Sequence, residues 1–227
     1  MNRLRISIIL AASVACVFAA SAASASAAHY KAAEYPAEVE AKQLNGQGFQ
    51  ITGAVSVCKN AKFLGSLPEE STTLTLHPTY SECTVELAGT HAAKVNTEGC
   101  NLQFAAAPPD TAEGTVSVVC EEGKAIEVEV EGITGCVITI PGQVGLKTIE
   151  NKNAAGGVHV NADATGLAWS STAACSLAES SGTNGIYREG KLNASEEPEL
   201  GTGFAEALTS AFKPGTSETL SLEVTST

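Results

Sequence analysis

The stretch Ser71-Thr-Thr-Leu-Thr-Leu-His-Pro-Thr-Tyr-Ser-Glu-Cys83 indicates the fold class of this chain. Its leucines alternate with threonines, and an alternation of period two is typical of a strand with one buried face. Pro78 cannot donate a backbone hydrogen bond, which favours a sheet edge or a bulge at that point. The alternation places His77 on the outer face. We therefore predict a framework strand that ends on a cysteine, and we assign His77 no catalytic role.

Similar patterns recur along the rest of the chain, which is rich in Thr, Val, Ser and Gly, the composition of strands and turns. The further strands predicted are Ala37–Gln43, Phe49–Val57, Ala61–Leu67, Cys100–Ala105, Gly114–Cys120, Ala125–Glu131, Cys136–Ile140, Val144–Asn151, Gly157–Ala162, Gly166–Ser170, Ile186–Asn193 and Thr219–Val224. One segment differs. Phe204, Leu208 and Phe212 lie four residues apart, which predicts one short amphipathic helix within residues 201–214.

These elements predict an all-β fold, an antiparallel two-sheet β-sandwich in a single domain over residues 36–227. Residues 28–35 are predicted to be a flexible lead-in. Residues 1–27 have the layout of a secretory signal peptide: Arg3 and Arg5, an apolar run, and the cleavage sequence Ala25-Ser-Ala27. The apolar run of about 15 residues is short for a membrane-spanning helix, which needs roughly 20. We therefore expect the protein to be secreted, in the extracellular space or associated with the cell envelope.

The cysteine count supports export. Six of the seven cysteines remain after the predicted cleavage, and an even count in an exported chain is typical of a disulfide framework. Zinc is the competing interpretation, but no two cysteines have C-x-x-C spacing and no histidine is close to a cysteine in sequence. The residues predicted to form three disulfides are Cys58, Cys83, Cys100, Cys120, Cys136 and Cys175.

A hairpin centred near residue 110 suggests how these cysteines are paired. In that register Cys100 falls opposite Cys120, within disulfide reach, while Cys58 and Cys83 join neighbouring strands. Cys136 is then left for Cys175. The alternative is a bond between Cys120 and Cys136 across an intervening turn, with Cys100 paired elsewhere.

Charge and motifs exclude several functions. The formal net charge of −12 falls to about −14 once Arg3 and Arg5 are removed, so the protein repels phosphate backbones and anionic membranes. We predict no nucleic-acid binding and no stable membrane insertion after cleavage. The chain has no nucleophile elbow, HExxH helix, P-loop or dinucleotide-binding glycine pattern. No catalytic residue, cofactor site or metal site is therefore assigned.

Acidic residues leave two further hypotheses open. Glu127, Glu129 and Glu131 alternate with buried positions and could gather a cation, although a solvated face that discourages edge-to-edge aggregation is the simpler interpretation. The many glutamates also leave room for a secreted glycosidase-like hydrolase, which would place two carboxylates roughly 5–10 Å apart in its largest pocket. Ala107–Thr111 is a candidate exposed loop for a secreted protease inhibitor. The role of residues 196–214 is not indicated.

Several motifs resemble a family of secreted, cysteine-containing all-β proteins of high-GC actinobacteria. The motifs are Tyr35-Pro-Ala37, Cys58-Lys-x-Ala-x-Phe-x-Gly65, Ser71–Cys83, Gly99-Cys100 and Val119-Cys-x-x-Gly-Lys-x-Ile-Glu127. The resemblance covers about residues 35–190 and weakens after Lys191. It implies a bacterial, extracellular, all-β protein and carries over no catalytic or binding residue. The function expected is a non-enzymatic binding or structural module for an extracellular or cell-wall ligand.

Overall fold

The computed structural model describes residues 28–108, 111, 114–202 and 204–226, with the backbone alone for residues 147–149. The predicted signal peptide lies outside the described residues, as does most of the tip of the predicted inhibitor loop. Within the described residues, no helix is long and apolar enough to cross a membrane.

Eighteen strands and one short 3₁₀ helix, Ala173–Cys175, form the described part of the chain. In chain order the strands are β1 Ala28–Ala32, β2 Ala37–Gln43, β3 Gln47–Ile51, β4 Ala54–Leu67, β5 Thr73–Glu86, β6 Thr90–Asn96, β7 Cys100–Ala105, β8 Gly114–Cys120, β9 Ala125–Val130, β10 Val137–Pro141, β11 Gln143–Ala154, β12 Gly157–Ala162, β13 Ala164–Ser171, β14 Ser181–Leu192, β15 Pro198–Leu200, β16 Ala205–Phe212, β17 Thr219–Leu220 and β18 Leu222–Ser226. The predicted all-β class is confirmed.

The main sheet closes on itself, which corrects the prediction of a two-sheet sandwich. The hydrogen-bonded order of its strands is β5, β7, β8, β11, β12, β16, β2 and β4. The pairing of β4 with β5 then closes the path. The result is an eight-stranded antiparallel β-barrel, which we call the first ring. Its closure depends on the pairing of β12 with β16, whose partners lie about 50 residues apart, such as Val158 and Thr209. Alternation within single strands contains no information on that pairing.

The remaining strands follow a second closed path that uses the same two central strands. From β5 the hydrogen-bonded order is β6, β9, β10, β13, β14 and β3, and β3 returns to β4. We call this the second ring. β4 and β5 are each 14 residues long, enough to serve the first ring with one half and the second ring with the other.

The ribbon formed by β4 and β5, which both rings share, changes its buried face where the two rings meet. Leu74 and Leu76 are buried in the first-ring half of β5, whereas the buried residues of the second-ring half, Cys83 and Val85, have the other parity. The pairing register between β4 and β5 stays constant across this change. One face of the ribbon therefore lines the first ring and the opposite face lines the second.

Pro78 lies at this junction. β5 pairs with β7 as far as Leu76 and with β6 only from Cys83 onward, so Pro78 is in the gap between the two neighbours. Its missing N–H removes a donor where no ladder partner is available on that side. At the position of the predicted edge or bulge, the neighbour of β5 therefore changes from β7 to β6 in the middle of the strand. The Pro78 carbonyl accepts a hydrogen bond from the Thr97 hydroxyl at 2.6 Å.

Two predictions of local structure are wrong. Ala205–Phe212, expected to be helical, is strand β16, and its inward face is formed by small residues, including Ala205, Thr209 and Ala211. The apolar residues that suggested a helix, Leu208 and Phe212, are half-buried on the other face. The predicted lead-in over residues 28–35 is strand β1 over Ala28–Ala32, which pairs with β18.

The three preferred disulfides are all formed. Cys58 is bonded to Cys83, Cys100 to Cys120 and Cys136 to Cys175, with Cα–Cα distances of 3.9, 4.0 and 4.6 Å. The predicted hairpin register is confirmed, because Cys100 lies directly opposite Cys120 across β7 and β8. The alternative pairing of Cys120 with Cys136 is excluded. Cys58–Cys83 links the two strands of the shared ribbon within its second-ring half.

The β1–β18 ribbon crosses one end of the first ring. The backbone of Tyr30 pairs with Ser71 in the β4–β5 turn, and the Asn153 amide near the β11–β12 turn exchanges two hydrogen bonds with the backbone of Val224, at 2.7 and 2.9 Å. These two turns belong to strands that are not adjacent around the ring. The ribbon therefore covers this end, and its own residues Tyr30 and Val224 are buried.

Candidate functional site

A cavity of about 80 Å³ lies inside the first ring, and strands β3, β9, β10, β13 and β14 of the second ring complete its wall. Protein interiors are normally packed with few voids larger than one water molecule, which needs roughly 10–15 Å³ of such space. This void therefore has room for several waters or for a small organic molecule. Its lining is almost entirely apolar, which favours an organic occupant over water.

Small side chains produce the space on one side of the ring. Alanines on β2, β12 and β16 of the first ring and on β13 of the second ring line the cavity, and they face larger side chains on β5, β7 and β8. The alanines in the wall are Ala41, Ala162, Ala164, Ala205 and Ala207, and the larger side chains opposite are Leu76, Leu102, Phe104, Val116 and Val118. A strand-by-strand interpretation of the sequence counts each alanine as an ordinary core residue.

A polar cluster forms part of the wall where the two rings meet. The Tyr187 hydroxyl donates to Oε1 of Gln47, and it also interacts with the Tyr80 hydroxyl. The Gln47 amide donates to the carbonyls of Asn45 at 3.3 Å and Glu206 at 3.4 Å. Tyr80, Tyr187 and Gln47 also line a smaller void of about 50 Å³ toward the second ring, so this cluster separates the two interiors.

Burial of the two phenols has an electrostatic consequence. The loss of hydration raises the pKa of Tyr80 to about 12, because the phenolate is disfavoured away from water. Burial likewise raises the pKa of Tyr187 well above its ordinary value, and the adjacent Tyr80 adds to the effect. Both groups are therefore neutral hydrogen-bonding groups near neutral pH rather than bases.

Thr209 supplies a polar atom at the opposite end of the cavity, beneath the β1–β18 ribbon. Its side chain is fully buried and lines the cavity, and its Oγ1 has no hydrogen-bond partner within the described residues. Asn151 on β11 pairs with Val160 on the neighbouring strand β12. Its Nδ2 is likewise buried without a partner among the described residues. The Oδ1 atom of Asn151 accepts a hydrogen bond from the Tyr30 hydroxyl at 3.4 Å.

A second concave feature lies on the outer surface of the first ring. It is an open groove of about 650 Å³ across β16, β2, β4, β5 and β7. Leu64, which is 45% exposed, and Phe212 contribute apolar surface, and His77 lies at its side. The predicted outward orientation of His77 is confirmed; its Nδ1 lies 3.2 Å from the carbonyl oxygen of Cys100.

The groove also brings two carboxylates together. Glu38 and Glu40 alternate on one face of β2, so their Cα atoms are about 7 Å apart. Lys42 at 2.8 Å and Lys62 at 3.1 Å form ion pairs with Glu40, and the hydrogen bond from Lys42 is the main reason that the pKa of Glu40 is lowered. Glu40 is therefore held as a carboxylate, which does not suit a general acid.

The acidic stripe of Glu127, Glu129 and Glu131 lies on β9 and the residue that follows it. β9 pairs with β6 on one side and with β10 on the other, so it is not a sheet edge. The solvated face of the simpler interpretation is confirmed, because Glu127, Glu129 and Glu131 are exposed, but protection of a sheet edge does not apply to β9. Lys94 on β6 forms an ion pair with Glu131 at 3.0 Å and lies opposite Glu129, which offsets part of the negative charge.

Other residues considered from the sequence have structural positions. Trp169 is 2% exposed, and its indole N–H donates to Oδ1 of Asn184 at 2.8 Å, so it is a core residue. In the predicted inhibitor loop Ala107 is buried and the Thr111 hydroxyl donates to the carbonyl of Pro108, whereas Pro109 and Asp110 lie outside the described residues.

Comparison with protein-family models, with curated proteins and with solved structures found no match for this chain. The resemblance to secreted actinobacterial proteins therefore stays a prediction.

Proposed function

We propose that the protein is an exported, non-enzymatic binding module that takes a small apolar molecule into the cavity of the first ring. The observation that carries this proposal is the cavity itself: about 80 Å³ of space with a mostly apolar lining inside the closed sheet. Ligand sites are typically concave, mostly apolar and largely pre-formed, with a few polar groups that orient the ligand. Eight-stranded barrels are just wide enough to hold one small ligand.

Substitution inside the cavity tests this function. Ala162→Leu on β12 adds a side chain that points into the cavity, whereas His159→Leu on the same strand adds apolar bulk on the outer face. Benzene is a suitable neutral probe, with binding measured by calorimetry and by the rise in Tm of the protein. We expect binding to the wild type and to His159→Leu, and loss of binding in Ala162→Leu. The absence of benzene binding in the wild type, or its persistence in Ala162→Leu, would contradict the proposal.

Export is part of the same proposal. Three disulfides are typical of proteins that fold in an oxidising compartment, which supports an extracellular location. Mass spectrometry of protein from the culture medium is expected to give an N-terminus at Ala28 or His29. Peptide mapping without reduction is expected to recover the three cystine pairs. Cell-retained protein with free thiols would contradict export.

A Glu-dependent hydrolase is the second candidate, because the outer groove contains two glutamates, Glu38 and Glu40, and glycosidases act with a pair of carboxylates. The lowered pKa of Glu40 argues against its acting as a general acid. Among the described residues that line the groove, Phe212 supplies the aromatic surface on which a sugar ring could stack. Assays on a panel of chromogenic glycosides decide between the two functions. Turnover that Glu38→Gln and Glu40→Gln abolish would replace the binding function with an enzymatic one.

A further inference from the structure

The polar atoms around the cavity are unequally satisfied, and this inequality points to the ligand. Gln47, Tyr80 and Tyr187 interact with one another at the ring junction. Thr209 has no such partner: its Oγ1 is buried beneath the β1–β18 ribbon without a hydrogen bond to the described protein atoms. A buried hydroxyl that is left unpaired destabilises the folded state.

Packing gives no reason for a hydroxyl at this position. Val158 on β12 is the cross-strand partner of Thr209. Valine at position 209 has nearly the same shape as threonine and would fill the same space without an unpaired polar atom. The neighbouring inward positions of β16 are alanines, Ala207 and Ala211, so the hydroxyl is the feature that sets Thr209 apart. A ligand oxygen placed against it would remove the cost.

A further buried polar group lies near this end of the cavity. Within the described residues Nδ2 of Asn151 has no partner, and Asn151 pairs across the strands with Val160, which is part of the cavity wall. Thr209 itself lines the cavity, and its hydroxyl can donate or accept a hydrogen bond. An oxygen atom of the ligand suits this hydroxyl, because it accepts hydrogen bonds and, in a hydroxyl, can also donate one.

The lining also limits the ligand's charge. Among the described residues, those that line the cavity include no Asp, Glu, Lys, Arg or His. An ion moved from water into such surroundings without a counter-charge is strongly disfavoured. A wholly apolar molecule, in turn, would leave Thr209 unpaired.

We propose that the ligand is a neutral, mainly apolar molecule with one hydrogen-bonding oxygen, held with that oxygen against the Thr209 hydroxyl at the end covered by the β1–β18 ribbon. This assignment rests on the proposed binding function of the cavity. It adds a chemical class and an orientation. The size of the cavity corresponds to a compact molecule such as a single ring or a short branched chain.

Three probes of similar shape test the assignment: benzene, phenol and benzoate at pH 7, each titrated calorimetrically into the purified protein. A net hydrogen bond is worth about 0.5–1.5 kcal/mol, so phenol is expected to bind about 2–13 times more tightly than benzene. Benzoate is expected not to bind. In Thr209→Val the preference for phenol is expected to disappear while benzene binding is retained. Thr209→Ser keeps a hydroxyl and is expected to keep the preference.

The outcomes separate this inference from the proposed function. Equal affinity for benzene and phenol in the wild type, or a preference that survives in Thr209→Val, would overturn the role of Thr209 and leave the cavity as a binding site. Binding of none of the probes would overturn both. If Thr209→Val does not fold, Thr209→Ala supplies the same comparison, because it also removes the hydroxyl.

Discussion

Tyr80 is one of three residues, with Gln47 and Tyr187, that line the voids on both sides of the ring junction. It belongs to the shared strand β5. Its ring packs edge-to-face on Phe63 with a centroid distance of 6.0 Å, and its hydroxyl lies against Tyr187. An ordinary aromatic contact of this kind is worth about 0.5–1.5 kcal/mol beyond area burial. Tyr80 therefore has a structural role, and no catalytic role of the nearby His77 is needed to explain its presence.

The raised pKa of Tyr80 predicts how stability changes at high pH. An unfolded tyrosine loses its proton near pH 10, whereas Tyr80 in the folded protein holds it to about pH 12. Between these values the folded state binds more protons than the unfolded state, so the free energy of unfolding falls as pH rises, by up to about 1.4 kcal/mol per pH unit for this group. Denaturant titrations from pH 9 to 12 are expected to show a shallower fall in Tyr80→Phe. Equal slopes in the two proteins would refute this prediction.

At the scale of the element, the β1–β18 ribbon is attached through a side chain that imitates a strand. Asn153 exchanges two hydrogen bonds with the backbone of Val224, as a neighbouring strand would. We predict that Asn153→Ala lowers the free energy of unfolding by about 1–3 kcal/mol, at 0.5–1.5 kcal/mol per bond, and speeds hydrogen exchange of the Val224 amide.

Lys152→Ala is the matched control for that variant. Lys152 is adjacent on β11, and its surface ion pair with Glu150, at 3.2 Å, is worth about 0–1 kcal/mol. We expect little change in the stability of this control and none in the exchange of Val224. If Asn153→Ala resembled it in both measurements, the ribbon would not depend on the Asn153 amide.

The shared ribbon is held covalently by Cys58–Cys83, which closes a sequence separation of 25 residues. Replacing both cysteines by serine is expected to lower the free energy of unfolding by about 2–4 kcal/mol, mainly because the unfolded chain gains conformational freedom. The Cys136–Cys175 pair closes 39 residues, and its removal is expected to cost roughly 0.4 kcal/mol more. Urea denaturation of the two double variants measures both losses. A loss below 1 kcal/mol in the first variant would show that the ribbon does not need the bond.

How much of each element could be predicted depended on how local its determinants are. The hairpin of β7 and β8 was predicted with its register, because opposed cysteines and alternating apolar residues lie within one short segment. β16 was predicted wrongly, because Phe204, Leu208 and Phe212 repeat with a helical period while the residues that face the core are mostly alanines. Alanine is common in helices and in cores, so it gives little contrast to a strand pattern.

At the scale of the whole molecule, closure and the cavity could not be predicted. Closure requires β12 to meet β16, a pairing determined by how all eight strands twist and fit rather than by either sequence segment. The cavity arises from the same closure, since Ala41, Ala162 and Ala207 are distant in sequence and meet only in the barrel. The unpaired Thr209 hydroxyl acquires meaning only when the surrounding side chains are known.

The interleaving of the two rings makes a prediction about folding. The first ring takes strands from β2 to β16 and the second from β3 to β14, and both need β4 and β5, so no continuous segment of the chain contains one ring alone. Losing either ring removes half of the pairing of the shared ribbon. We therefore expect one cooperative unfolding transition. Trp169 fluorescence reports on the second ring through β13, and far-UV circular dichroism reports on both. Coincident urea transitions by the two probes are expected for a two-state system. Separate midpoints would show that one ring survives the loss of the other and that the shared ribbon does not couple them.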